Sequence, residues 1–264
     1  VNLLLVEPSE LAGDRCVIAD RRAEHLRAVL GVAPGSTVKM GIVGGAIGTA
    51  QVLADDAAGI TLHFAPTAEP APQLDLELVL AIPRPKALAR VIETCAAFAV
   101  RRVELTNAWR VDKSYLRSPK LAADALAHAA RIGAEQGATT HLPAIAVHER
   151  LMELLDARWP APEPRGEDAA DRDEDGEARP RRRRPKPGSL LIAHPDAKPI
   201  EAVIRHGPLV LAIGPEGGWI QRELDTFVAR GFTPCSLGAP ILRTESAVSA
   251  ALGQLVLLQR LAER

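Results

Sequence analysis

Apolar positions along this chain follow two periods, and the change from one to the other falls near residue 72. Before it, short alternating runs are punctuated by glycine. They predict a brief strand at 16–19, a short helix at 23–30 carrying His25, Leu26, Val29 and Leu30, and a strand at 60–64. Between these, the stretch 38–53 reads as two strands joined at Gly44–Gly45, a pair suited to the positive φ values of a tight hairpin turn. Residues 65–72 (APTAEPAP) read as a linker.

Beyond the linker, strands and helices alternate. Leu74, Leu76, Leu78, Leu80 and Ile82 give a strand, and Leu88, Val91, Ile92, Cys95, Ala96 and Ala99 follow helical spacing. Further strands are expected at 103–105, near Ile145, and at 190–193, 209–213 and 234–237. Further helices are expected from Ser118–Pro119 to about Gln136, and at 151–159, 199–206, 222–230 and 246–261. Alternation of this kind predicts an α/β fold with a mostly parallel sheet covered by helices on both faces. The expected organisation is a small N-terminal β-barrel over 1–68 and an α/β domain over 73–264. Residues 161–188 interrupt it with an acidic and then a basic block that hold almost no large apolar side chain. This stretch reads as a disordered charged insertion, a solvated tether in preference to a phosphate-binding arm.

Composition narrows the function. The chain is 47% hydrophobic, enough to bury a core, but only 3% aromatic, which disfavours base recognition by rows of stacking rings. With a net charge of −1, any nucleic-acid contact needs locally gathered basic groups. Cys16, Cys95 and Cys235 lack metal or disulfide spacing, so no metal is expected and a reducing cytoplasm is. No apolar run has membrane-spanning length, and the reading is a soluble protein.

Two loops carry the candidate chemistry. The first, Ile213-Gly214-Pro215-Glu216-Gly217-Gly218, joins a strand to a helix, and its glycines let backbone approach a ligand closely. It is neither a P-loop nor GxGxxG. The second, Leu237-Gly238-Ala239-Pro240-Ile241-Leu242-Arg243-Thr244-Glu245, places Arg243 at a helix N-terminus, where a cation has no local rationale. Each loop alone is equally well a tight turn, and Arg243 a surface residue paired with Glu216 or Glu245. Together, at the carboxyl ends of strands in an open α/β sheet, they mark a ligand site.

This pair of loops resembles the signature of RsmE-type rRNA methyltransferases of the SPOUT superfamily. Glu24–Gly35, Pro83-Arg84-Pro85-Lys86, Glu135-Gln136 and Ala193-His194-Pro195 are similar to further segments of that family. The resemblance implies a PUA-like RNA-binding β-barrel followed by a SPOUT α/β domain with a deep trefoil knot. It implies S-adenosylmethionine as methyl donor, bound by His194, Ile213, Gly214, Gly217, Gly218, Leu237, Gly238, Ile241, Leu242 and Thr244. It also implies a homodimer acting on N3 of a uridine in 16S ribosomal RNA of the small subunit, with Arg84, Lys86 and Arg243 as RNA contacts. The sequence departs from the family pattern at Gly31, over 93–99 and over 137–140.

Uracil N3 carries a proton at neutral pH, so its methylation needs a base, stabilisation of the uracil oxygens, or both. Arg243 is the candidate for that stabilisation, and Glu216 the catalytic partner that, with Glu245 as the other choice, orients it. His25, His128 and His141 read as packed or surface residues. The same scaffold acting on another RNA, or a catalytically silent RNA-binding assembly factor, are the competing readings. A nicotinamide dehydrogenase is discarded, because no early strand–GxGxxG–helix unit is present.

Overall fold

The computed structural model describes residues 2–162, 188–205 and 207–262; the greater part of the insertion expected at 161–188 lies outside them. The N-terminal elements are β1 (Leu4–Val6), β2 (Arg15–Ile18), α1 (Arg21–Ala28), β3 (Thr37–Ile42), β4 (Ile47–Asp56) and β5 (Gly59–Ala68). Asp20 caps α1, its carboxylate accepting from the Arg22 N–H at 2.9 Å. These strands form one sheet in the order β1-β3-β4-β5-β2. All neighbours are antiparallel except β1 and β3.

The expected closed barrel is not found. β1 and β2 stand at opposite edges of the sheet and are only three and four residues long, too short to complete a ring of hydrogen bonds. Instead the sheet surrounds a small core of Leu4, Val6, Ile18, Leu26, Met40, Val52, Ile60, Leu62 and Phe64. The linker is also shorter than expected. Residues 65–68 continue β5, with Pro66 opposite Gly48 at a register shift, a place where a missing N–H is tolerated.

From residue 74 on, the elements are β6 (Leu74–Ala81), α2 (Pro85–Ala97), β7 (Val100–Thr106), α3 (Ala123–Gly137), β8 (Ala144–His148), α4 (Leu151–Arg158), β9 (Ser189–Ala193), α5 (Ile200–Val203), β10 (Leu209–Ile213), α6 (Gln221–Ala229), β11 (Thr233–Cys235) and α7 (Thr244–Ala262). Their strands make a wholly parallel sheet in the order β11-β9-β10-β6-β7-β8. Two of the differences from the expected boundaries have a local physical reason. Ser118 caps a single 3-10 turn, Pro119–Leu121, after which α3 starts separately. α5 stops at Val203, because Ile204 turns to extended backbone.

α2 packs on both α3 and α7. At the α2–α3 contact the backbones nearly touch: a Cβ on Gly133 would fall 2.1 Å from the Glu93 carbonyl oxygen, and one on Gly137 2.5 Å from that of Ala97. These glycines leave room only for small neighbours. Glu93 and Ala97 on one side and Gly137 on the other, three of the departures from the family pattern, thus meet in one tight helix pair.

The two sheets meet through β1. Leu4 and Val6 point into the small core, whereas Leu3 and Leu5 belong to the large one. The Asn2 and Leu3 N–H groups both donate to the Glu135 carbonyl of α3, at 3.2 and 3.1 Å.

Candidate functional site

Three loops converge at the carboxyl ends of β9, β10 and β11. The exit of β9 is tied to β11: the His194 N–H donates to the Cys235 carbonyl at 2.8 Å, and the Ser236 N–H to that of Lys198 at 2.8 Å. From α7, Gln254 Nε2 donates to the Leu237 carbonyl at 2.8 Å and holds the loop after β11 in place. Between the three loops lies a cavity of about 360 Å³, within the range of small-molecule sites. Larger cavities exist, including one of about 620 Å³ beside α1 and β3, but they lack this convergence of strand ends.

Every residue expected to hold the methyl donor lines this cavity: His194, Ile213, Gly214, Gly217, Gly218, Leu237, Gly238, Ile241, Leu242 and Thr244, with Glu216 beside them. The loop after β10 turns through the Gly218 N–H, which donates to the Pro215 carbonyl at 2.8 Å, and Gly218 takes φ +72°. Gly238 takes φ +127°, a region that side chains rarely enter. A Cβ at Gly214 would lie 3.2 Å from three atoms of Trp219, so that loop is folded against the indole. Trp219 in turn packs on Phe227 with 5.1 Å between ring centroids, and Phe227 on Phe232 with 4.9 Å.

Two buried polar atoms of the lining have no hydrogen-bond partner, Trp219 Nε1 and Thr244 Oγ1. Buried donors and hydroxyls are normally satisfied, so an exception at a cavity wall marks a candidate ligand contact. Glu216, Asp196 and Arg110 also belong to the lining among the described residues.

Arg110 is a residue that the sequence reading missed. Its Nη1 donates to the Gly217 carbonyl, and the neighbouring Trp109 N–H donates to Glu223 Oε1 at 2.7 Å. Glu223 also accepts from the Ile220 N–H at 3.0 Å. The segment after β7 is therefore fastened both to the glycine loop and to the start of α6. No local signal marks this, since the partners are over 100 residues apart.

Arg84 does not line the cavity; it braces it. Its backbone N–H donates to Glu216 Oε1 at 3.3 Å and its Nη2 to Glu245 Oε1 at 3.2 Å. Both carboxylates expected to orient Arg243 accept hydrogen bonds from Arg84, and Glu245 also feels the Arg243 charge. The Glu245 carboxyl is held below its usual 4.5, first by a backbone N–H at its own position, then by Arg84, and least by Arg243. Arg243 itself is exposed, between the lining residues Leu242 and Thr244, and Lys86 is exposed on the first turn of α2. Among the described residues no group of three or more His, Cys, Asp or Glu is placed to hold a metal ion. No helix there is long and apolar enough to cross a membrane.

Residues 69–172 and 178–256 match the family model of the RNA methyltransferase domain. The chain is 27% identical, over 95% of its length and 89% of the relative's, to the ribosomal RNA small subunit methyltransferase E of Treponema pallidum. Among solved structures, the ribosomal RNA small subunit methyltransferase E of Neisseria gonorrhoeae, bound to S-adenosyl methionine, superposes with a TM-score of 0.74 at 20% identity, covering 97% of both chains. A methyltransferase from Legionella pneumophila in complex with the same molecule gives a TM-score of 0.73 at 20% identity, again over 97% of both chains.

Proposed function

Because the chain belongs to the RNA methyltransferase domain family, we propose that it methylates N3 of a uridine in 16S ribosomal RNA of the small subunit, using S-adenosylmethionine. The observation that carries this reading is the cavity where both glycine loops meet the end of β9. Its residues fit the donor. Trp219 Nε1 and Thr244 Oγ1 offer unspent polar atoms, the glycines leave backbone exposed, and two acidic residues of the lining, Glu216 and Asp196, suit a cationic ligand by their charge. When bound, S-adenosylmethionine supplies an electrophilic methyl group. The small-subunit methyltransferases of Treponema and Neisseria support the choice of RNA.

The protein's own part is positioning and charge stabilisation. Gly214, Gly218 and Gly238 shape the cavity wall, and Arg110 and Arg84 hold the glycine loop from two sides. Arg243, exposed between two lining residues, is free to meet the uracil carbonyl oxygens as N3 loses its proton. Glu216 is engaged with the Arg84 backbone, so its role is to hold the loop rather than to take the proton. Arg84 becomes part of the site's frame, and Lys86 keeps the reading of an RNA contact.

The finer architecture belongs to the same proposal. A PUA-like RNA-binding unit over 1–68 and a knotted SPOUT unit over 73–264 are supported by the two sheets with their separate cores. A homodimer is supported by exposed Leu257 and Leu261, one turn apart on α7. A cytoplasmic setting is supported by three buried free thiols.

Calorimetric titration with S-adenosylmethionine is expected to give one saturable site per chain. Transfer of labelled methyl to small-subunit RNA, followed by mapping, is expected to find 3-methyluridine. Label on a different RNA would move the substrate; donor binding with no transfer would leave a silent RNA-binding factor. A folded chain that binds no donor would end the reading.

A further inference from the structure

Trp109 is the one tryptophan of this chain that the fold leaves in water. The chain has three; Trp219 is 7% exposed, Trp159 is partly buried, and both pack against phenylalanine rings. Trp109 is 79% exposed. Tryptophan carries the largest apolar surface of any side chain, and leaving it bare forgoes the burial that its size would contribute.

The backbone beneath this ring is not loose. The Trp109 N–H is held by Glu223 Oε1 at 2.7 Å, and the next residue, Arg110, lines the donor cavity and donates to the Gly217 carbonyl. An exposed ring is thus mounted on a segment pinned at two consecutive residues, Trp109 to Glu223 of α6 and Arg110 to the wall of the site. A planar apolar face, fixed beside a pocket and free of protein partners, is the element that a splayed-out nucleobase stacks on. The low aromatic content disfavours a row of such faces; it leaves room for one.

We infer that Trp109 is a stacking platform for a single-stranded nucleobase of the substrate RNA, held beside the donor cavity, and that it sets RNA binding rather than donor binding. The inference rests on the reading above that RNA is the methyl acceptor. Trp109 touches the base and takes no part in the transfer itself. Base–aromatic stacking of ordinary strength corresponds to roughly fivefold to 150-fold in RNA affinity.

The test compares the wild type with W109L and W109F, using a small-subunit ribosomal RNA fragment and S-adenosylmethionine. In the wild type the RNA fragment should quench the emission of the exposed tryptophan. W109F, which keeps only Trp159 and Trp219, should lose that response. W109L should raise the KM for RNA by roughly fivefold or more, with kcat at saturating RNA and the calorimetric donor Kd kept, and W109F should recover most of the loss. An unchanged KM in W109L overturns the inference. So does a sedimentation change in W109L without any effect on RNA, which would make the ring a contact between copies of the chain. A wild type that binds donor yet methylates no RNA overturns the proposed function itself, and the stacking role with it.

Discussion

Gly214→Ala is the substitution by which the construction of the proposed donor cavity can be judged. The added Cβ would stand 3.2 Å from Trp219 Cδ1, 3.2 Å from its Nε1 and 3.2 Å from its backbone N. The indole cannot simply retreat, because Phe227 lies behind it and Phe232 behind that. The backbone N cannot retreat without opening the turn closed by the Gly218–Pro215 hydrogen bond. Overpacking of this kind costs about 1–3 kcal/mol, which for a chain of this size lowers the melting temperature by roughly 2–12 °C. If the loop relieves the strain by opening, each binding event must close it again, and the donor Kd rises by about fivefold to 150-fold. Gly217→Ala is the comparison: its Cβ would meet Arg110 Cδ at 3.0 Å, a side chain that can shift where backbone cannot, at the cost of loosening its hydrogen bond to the Gly217 carbonyl. Thermal melting and calorimetric titration of the two variants side by side should rank Gly214→Ala well below Gly217→Ala. A Gly214→Ala protein that melts and binds donor like the wild type would refute the claim that the indole fixes this loop.

Other outcomes follow from the same geometry. Thr244→Val removes a buried hydroxyl that has no partner, so thermal stability should hold or rise by up to about 1 kcal/mol, while calorimetry should find weaker donor binding. Arg84→Met breaks a half-exposed ion pair and should cost under about 1 kcal/mol in denaturant melts, yet weaken donor binding several-fold by releasing the start of α7. Glu245 offers a pH signature: its lowered pKa means that its contribution is present above about 4.5 and lost as pH falls through the depressed folded value. NMR titration should find that depression reduced in Arg84→Met. Burial pushes the Cys95 and Cys235 thiols up to about 12 and Cys16 up to about 11, so a thiol reagent at pH 8 should leave the native chain unmodified and count three groups after unfolding.

The strands and the two glycine loops were legible because their signals are local. Alternation in 74–82 and glycine after a buried strand are imposed within a few residues, and β6 and the turn at Gly218 follow directly. What holds the loops was not legible, because Arg84 reaches Glu216 and Glu245 across 132 and 161 residues, and no window contains such a pair. The charge of Glu77 is no guide to its place either. Glu77 and Glu104 are both buried, under Arg158 at the end of α4, and His148 Nε2 lies 2.7 Å from Glu104. A carboxylate is acceptable inside a sheet only where partners arrive from other elements, which is tertiary information. The early end of α5 has a similar origin. The residues after Val203 turn away to satisfy Ser189, whose hydroxyl accepts from the Arg205 N–H at 2.6 Å, and that competes with continued helix.

The double allegiance of β1 sets a schedule for the growing chain. Leu4 and Val6 can find their core once the first 68 residues have emerged, but the carbonyl that receives the Asn2 and Leu3 N–H groups belongs to Glu135. At 5–20 residues per second, that carbonyl is made roughly 7–27 s after Asn2. Throughout that interval the face bearing Leu3 and Leu5, both fully covered in the finished protein, has nothing to lie against. The N-terminal strand is therefore completed by its own chain's middle, and a fragment ending near residue 68 keeps that apolar face bare for good.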